Sequence, residues 1–190
     1  MPYIILVAGI PASGKTTYAR HISEKLNIPF IGRDAVKEKL YDVLKYDTSK
    51  RENSQLYGMA SYSVFCHIAE CLMRADVSFV FETNFWPASV DILLPMVRQY
   101  NYRALTILFD ADIKVLHKRF CERDITNERH PGLVAKGTSN LHNFDSFSKE
   151  LLPHRDFCVG EKIIVDTTDF SKVDYDEIND LVMDFIRKIN

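Results

Sequence analysis

The sequence is poor in the features that mark extracellular, membrane, fibrous or nucleic-acid-coating proteins. Its four cysteines, Cys66, Cys71, Cys121 and Cys158, form no C-x-x-C pair and show no zinc-ligand spacing. A chain of 190 residues buries enough surface on folding to need no disulfide or metal staple, so reduced thiols in a cytoplasmic protein are expected. No apolar run approaches the ~20 residues of a membrane helix. The run 3–8 passes straight into a glycine motif with no charged leader or cleavage site, so neither a span nor a secretion signal is expected. Charge excess is also missing: 24 Lys and Arg stand against 26 Asp and Glu, a net charge of −2. The molecule as a whole therefore has no pull toward DNA, RNA or anionic lipid, and a polyanion would need a local basic patch. No repeat or Pro/Gly/Ser-rich linker divides the chain, so 1–190 reads as one domain.

What is present is an alternation. Short apolar runs of strand length fall at 3–7, 29–31, 77–81, 104–109 and 163–165. Near-continuous apolar strands are the mark of a parallel sheet covered by helices on both faces. Between them lie helical patterns: Ala19, Ile22 and Leu26 share one face, and Leu56, Met59, Ala60, Val64, Ile68, Cys71 and Leu72 another, on which His67 is expected to pack. The series Ile178, Leu181, Val182, Phe185, Ile186 and Ile189 predicts an amphipathic final helix. Pro87 is placed to open a helix, and Pro95 to kink or restart it near Leu94. The stretch 124–140, with Pro131, Gly132 and Gly137 and no sustained period, reads as a long loop of the kind that serves as a lid. The fold class is α/β.

Gly9-Ile10-Pro11-Ala12-Ser13-Gly14-Lys15-Thr16 fits G-x-x-x-x-G-K-[ST] and stands where that motif works, after an apolar strand and at the start of a helix. The loop is expected to wrap a phosphate chain with its backbone N–H groups, aided by the positive end of the helix dipole. Gly9, Ala12, Ser13, Gly14, Lys15, Thr16 and Thr17 form the expected nucleotide-binding set. Lys15 reaches the β and γ phosphates, and Thr16 offers its hydroxyl to Mg²⁺.

Ligands of open α/β sheets lie beyond the C-terminal strand ends, which draws Asp34 and Glu82 to the same crevice. One carboxylate can accept a proton from an attacking hydroxyl, and another can serve Mg²⁺ or the acceptor. Asp34 also reads as an N-cap, and Glu82 as a solvated strand end. Arg119 and Arg123, at i and i+4, would repel unless an anion met both; a Lys118–Glu122 pair on a solvated face is the alternative. Arg129 and His130 open the Pro131-Gly132 turn, and a planar guanidinium there suits closure over phosphate. Phe85 and Trp86 fit either an acceptor pocket or the core. The remaining histidines, His154 among them, have no metal-site spacing.

Taken in order, Gly9 to Thr16, Arg33-Asp34, Glu82-Thr83-Asn84, the Arg-rich segment with Glu128-Arg129-His130-Pro131-Gly132, and Val165-Asp166-Thr167-Thr168 resemble the small P-loop kinases. That family includes polynucleotide 5′-hydroxyl kinases, zeta-toxin sugar-nucleotide kinases and chloramphenicol phosphotransferase. The resemblance implies a three-layer αβα fold, a parallel five-stranded sheet of order 2-3-1-4-5 and an arginine-bearing lid. It implies ATP and Mg²⁺ as cofactors, Asp34 as the acceptor-activating aspartate, Lys37 and Asn84 with Glu82 on the acceptor side, and Arg119 or Arg123 as the lid arginine. Two positions depart from the pattern: Glu82 replaces an aspartate, and Lys37 an arginine. The expected activity is γ-phosphoryl transfer to a hydroxyl of a small molecule or nucleotide. Nucleic acid is less favoured, because residues 112–136 hold six Lys and Arg against four Asp and Glu. A polynucleotide 5′-hydroxyl kinase and a regulatory ATPase without an acceptor are the rival readings.

Overall fold

A computed structural model describes residues 1–44, 51–126, 129–134 and 140–188, with the side chains of 51–54 left aside. Five strands, β1 (Tyr3–Gly9), β2 (Phe30–Gly32), β3 (Phe79–Glu82), β4 (Arg103–Asp110) and β5 (Glu161–Asp166), pair in parallel in the order β2-β3-β1-β4-β5. Helices α1 (Lys15–Leu26) and α7 (Tyr175–Arg187) cover one face; α3 (Arg51–Arg74) and α4 (Val90–Gln99) cover the other. The expected three-layer fold and strand order are both found.

Ile4, Ile5, Leu6, Val7 and Ala8 are fully buried, because alternate side chains of β1 enter opposite cores. Burying one such large side chain is worth roughly 1.5–3 kcal/mol, so the central strand anchors both layers. Thr106, buried in β4, is paired rather than stranded: its hydroxyl donates to the Val159 carbonyl and accepts from the Val159 N–H. A third apolar cluster, with Ile10, Leu116, Phe120 and Phe147, lies under α5 (Ile113–Asp124) and α6 (Phe144–Leu151).

Two expectations fail on α3. Its buried stripe is Tyr57, Ser61, Phe65, Ala69 and Met73, whereas Leu56, Met59 and Val64 are 57%, 66% and 43% exposed. The helix carries apolar residues around more than half its circumference, and its rotation is set by the largest of them. Phe65 stacks on Phe81 and leans on Phe85, burying more area than the smaller side chains of the other stripe. His67, expected to be packed, is exposed, with its ring near the Cys71 sulfur. On the far side, a 3-10 turn over Pro87–Ser89 leads into α4, which runs past Leu94 without restarting. Pro95 and Asp91 are both exposed, so the carbonyl that Pro95 leaves unbonded belongs to the solvent side of the helix.

Among the described residues no helix is long and apolar enough to cross a membrane. Helix α2 (Arg33–Val43) starts directly after β2. The pairing of Gly32 and Val7 with Glu82 sets the α2 start, the end of β3 and the glycine loop after β1 side by side.

Candidate active site

Between β1 and α1 the chain turns through Ala12 in the left-handed region (φ 67°), with the Ser13 N–H donating to the Ile10 carbonyl. Gly9 admits no side chain: a Cβ there would fall on the carbonyl oxygen of Phe109 in β4. Helix α1 begins with no side-chain cap, unlike α5 and α7, whose first N–H groups are held by Asp112 and Asp174. The first amides of α1 are thus left for an anion. The Ser13 hydroxyl in the loop and Nε of Arg123, which acts on Lys15, are buried without a hydrogen-bond partner. Unpaired donors around a glycine loop are the complement of a phosphate chain.

Lys15 Nζ lies 3.7 Å from Glu82 Oε1, with both side chains almost fully buried. Burial pulls the Lys15 ammonium below its ordinary value, against the raising effect of Glu82 and Asp34, and Arg123 and Arg129 lower it further. Burial likewise pushes the Glu82 carboxyl up, opposed by Lys15 and by a hydrogen bond with the Thr16 side chain. Two carboxylates and three cations therefore share one electrostatic neighbourhood. A hydroxyl beside a carboxylate is a hard oxygen pair of the kind Mg²⁺ prefers, and Thr16 with Glu82 fits it together with phosphate oxygens. Among the described residues no three His, Cys, Asp or Glu side chains gather into a metal cage of their own.

Asp34 sits in the first turn of α2, where Gly32 occupies the cap position, so it is not an N-cap. Lys37, one turn on, is drawn below its usual value by burial and then by Arg33, while Asp34 opposes and Arg129 adds to the shift. The two arginines of α5 part company. Arg123 approaches Lys15, and burial lowers its pKa, helped by Arg129. Arg119 instead donates to the Thr167 and Thr168 carbonyls at 2.7 and 2.9 Å and lies 3.8 Å over the Phe170 ring. The Lys118–Glu122 pair of the alternative reading is present, at 3.8 Å on the outer face, and the expected convergence of Arg119 and Arg123 on one anion is not found, because Arg119 is held by the carbonyls after β5.

Of the lid expected over 124–140, residues 127–128 and 135–139 lie outside the described residues. Arg129 donates to Asp124 at 2.6 Å, and His142 meets the other Asp124 oxygen at 3.1 Å. The 3-10 turn Pro131–Leu133 rests on α2: Gly132 lies so close to the Tyr41 ring that a Cβ would overlap it, and His130 contacts Asp42 at 3.2 Å. On the other side of the loop, a cleft of about 890 Å³ opens between Gly14, Thr17 and His21 of the loop and α1 and the segment from Phe170 through Val173 to Tyr175.

Phe85 belongs to the core, while Trp86 is 44% exposed and packs on His154. Asn84 is half-buried, its carbonyl beside the same histidine. Asp124, His154 and Phe170 adjoin the site but were not singled out by the sequence: Asp124 and Phe170 stand beside motif residues without a pattern of their own, and His154 lies in a turn away from any motif or period.

A family model described as an AAA domain, AAA_33, matches residues 4–135. No curated protein matches the chain significantly. Among solved structures, a candidate kinase from Chloroflexus aurantiacus superposes with a TM-score of 0.80 at 24% identity, over 98% of this chain and 97% of that one. A sugar kinase from a Janibacter species gives 0.60 at 11% identity over 98% and 95% of the two chains. The Pnkp1/Rnl/Hen1 RNA repair complex gives 0.53 at 20% identity, over 78% of this chain and 45% of that one. At these identities the structural likenesses establish the fold, while the matched sequence model, covering well over half the chain, establishes kinship. The chain belongs to the AAA_33 family and is a P-loop, kinase-like nucleotide-binding protein.

Proposed function

We propose that the protein is an ATP- and Mg²⁺-dependent phosphotransferase that moves the γ-phosphoryl group to a hydroxyl of a small molecule or nucleotide. The observation that carries this reading is the buried Lys15–Glu82 pair at the mouth of the glycine loop, with Asp34 on one side and Arg123 and Arg129 on the other. A loop that only held nucleotide would have no use for a carboxylate at each of two neighbouring strand ends.

In this reading the loop amides, Ser13 and Lys15 hold the phosphate chain, and Thr17 and the cleft toward Val173 and Tyr175 take the nucleoside end. Thr16 and Glu82 would hold Mg²⁺, which supplies charge neutralisation between the β and γ phosphates. Asp34 accepts the proton as the acceptor oxygen bonds to the γ-phosphorus and the bond to the bridging oxygen breaks, releasing ADP. Arg123 and Arg129 face the charge that spreads over the transferred group. Arg119, already committed to the carbonyls after β5 and to Phe170, serves the nucleoside side rather than the γ-phosphate. Lys37 and Asn84 border the acceptor.

The test is incubation with ATP labelled at the γ position and a pool of small hydroxyl compounds. The expected result is label in an organic product, with little release as inorganic phosphate. Slow hydrolysis unaffected by every alcohol would identify a regulatory ATPase instead.

A further inference from the structure

Behind the glycine loop a polar chain ties α1 to α7 and has no part in the chemistry proposed above. Tyr18 of α1 and Asn179 of α7 are both buried. The Tyr18 hydroxyl donates to Asn179 Oδ1 at 3.2 Å, and the Asn179 amide nitrogen lies 3.0 Å from His21 Nε2, back on α1. An amide nitrogen can only donate, so His21 Nε2 holds a lone pair and Nδ1 carries the ring proton. Aromatic neighbours also hold the imidazole, with Tyr18 at 6.0 Å and Tyr175 at 5.2 Å between ring centroids. His21 is half-buried and lines the cleft between α1 and the segment from Phe170 to Tyr175. Its Nδ1 has no protein partner among the described residues and is not sealed from solvent. The chain therefore ends on an oriented N–H donor at the cleft wall.

Phosphate is not the partner of this donor. His21 stands four residues beyond Thr17, on the same face of α1 and about 6 Å further along its axis, past the first amides of the helix. Phe170, Val173 and Tyr175 give that part of the cleft apolar walls, which suit the faces of a flat ring and leave its edge to be read by hydrogen bonds. We propose that His21 is a specificity-determining residue for the nucleotide: its Nδ1–H donates to a ring nitrogen or carbonyl oxygen of the base, while Asn179 and Tyr18 are positioning residues that hold the imidazole in this tautomer. The inference rests on the reading that the cleft takes the nucleoside end. A tie that served only to join two helices would end inside the core; this one ends where a ligand can meet it.

The experiment uses protein carrying ¹⁵N-histidine, titrated separately with MgATP, the magnesium complex of 2′,3′-dideoxy-ATP, and tripolyphosphate. In the free protein the His21 signals should be those of the Nδ1–H tautomer. MgATP and the dideoxy analogue, which keeps the base but lacks the ribose hydroxyls, should shift the Nδ1 resonance alike, and tripolyphosphate should leave it in place. By calorimetry His21→Phe, which keeps a ring but has no donor, should bind MgATP about fivefold more weakly, the scale of one lost neutral hydrogen bond, with tripolyphosphate binding unchanged. Asn179→Leu should give a mixture of His21 tautomers, a signature that lost packing alone does not produce. An Nε2–H tautomer in the free protein, bound MgATP without a shift, a shift that vanishes with the dideoxy analogue, or no binding of MgATP overturns the inference. If a variant fails to fold, the wild-type resonances decide. A shift without phosphoryl transfer to any hydroxyl compound upholds the role of His21 and removes the kinase reading; transfer from ATP without a shift removes the role of His21 alone.

Discussion

At the scale of single residues, the site is a set of charges kept where water is scarce. Lys15 is buried yet makes no contribution to the apolar clusters, and its partner is a carboxylate rather than a packing surface. Lys15→Met is therefore expected to fold with little change in thermal midpoint and to lose well over tenfold in phosphoryl transfer, as judged by unfolding curves and labelled-ATP turnover side by side. His154 gives a second prediction, because burial drives its pKa down to about 4. Its folded-state pKa lies below the unfolded value near 6.5, so the unfolded chain takes up the proton first on acidification. Stability is fully present above pH ~6.5, falls as pH drops toward 4, and levels off below that, by an amount on the order of 3 kcal/mol. Urea unfolding across this range should show the slope in wild type and a shallower one in His154→Gln; parallel curves would mean that the imidazole is not buried neutral. None of this was legible at His154, which follows Pro153 in a turn with no periodic neighbours. Lys15 was legible because two glycines and a threonine at fixed spacing surround it.

At the scale of elements, the described part of the segment expected to form a lid is held from two sides. Asp124, buried at the end of α5, clamps Arg129 and His142, and the turn at Pro131–Leu133 rests on Tyr41 of α2. Asp124→Asn removes the charge that orients Arg129. Turnover should fall about tenfold, by the scale for a lost charge-assisted contact in the transition state, with a lower thermal midpoint. Kinetics matching wild type would detach Arg129 from the reaction. Gly132→Ala drives a methyl into the Tyr41 ring. It should cost about 1–3 kcal/mol of overpacking or push the turn off α2, raising the KM for ATP several-fold, and Tyr41→Ala in the same chain should restore part of the loss. The turn at Pro131–Leu133 was readable from its Pro and Gly, but its docking on α2 was not, since residues 41 and 132 share no pattern. Helix α3 shows the opposite difficulty: its apolar residues suggested too many faces, and stacking of Phe65 on Phe81 chose among them.

At the scale of the whole molecule, which strands lie at the centre of the sheet follows from a physical demand that the sequence expresses openly, whereas their order was implied only by the family resemblance. Strands covered on both faces must be apolar throughout, and the short runs at 3–7, 77–81 and 104–109 are the three central strands β1, β3 and β4. The edge strands are less apolar: Glu161 and Ile164 of β5 are exposed, and β2 is only three residues long. Their boundaries are accordingly less legible. That architecture puts the ends of β1, β2 and β3 in one row, so the groups proposed to hold nucleotide and to accept the proton come from different elements and can be separated by mutation. The most direct test is Asp34→Asn, measured in parallel for MgATP binding by calorimetry and for transfer to the acceptor by label. Because Asp34 stands in the first turn of α2 rather than on the glycine loop, binding should remain within a few-fold while transfer falls roughly a hundredfold or more. Transfer at the wild-type rate, or a loss of nucleotide binding equal to the loss of transfer, would contradict a phosphotransferase centre built on Asp34.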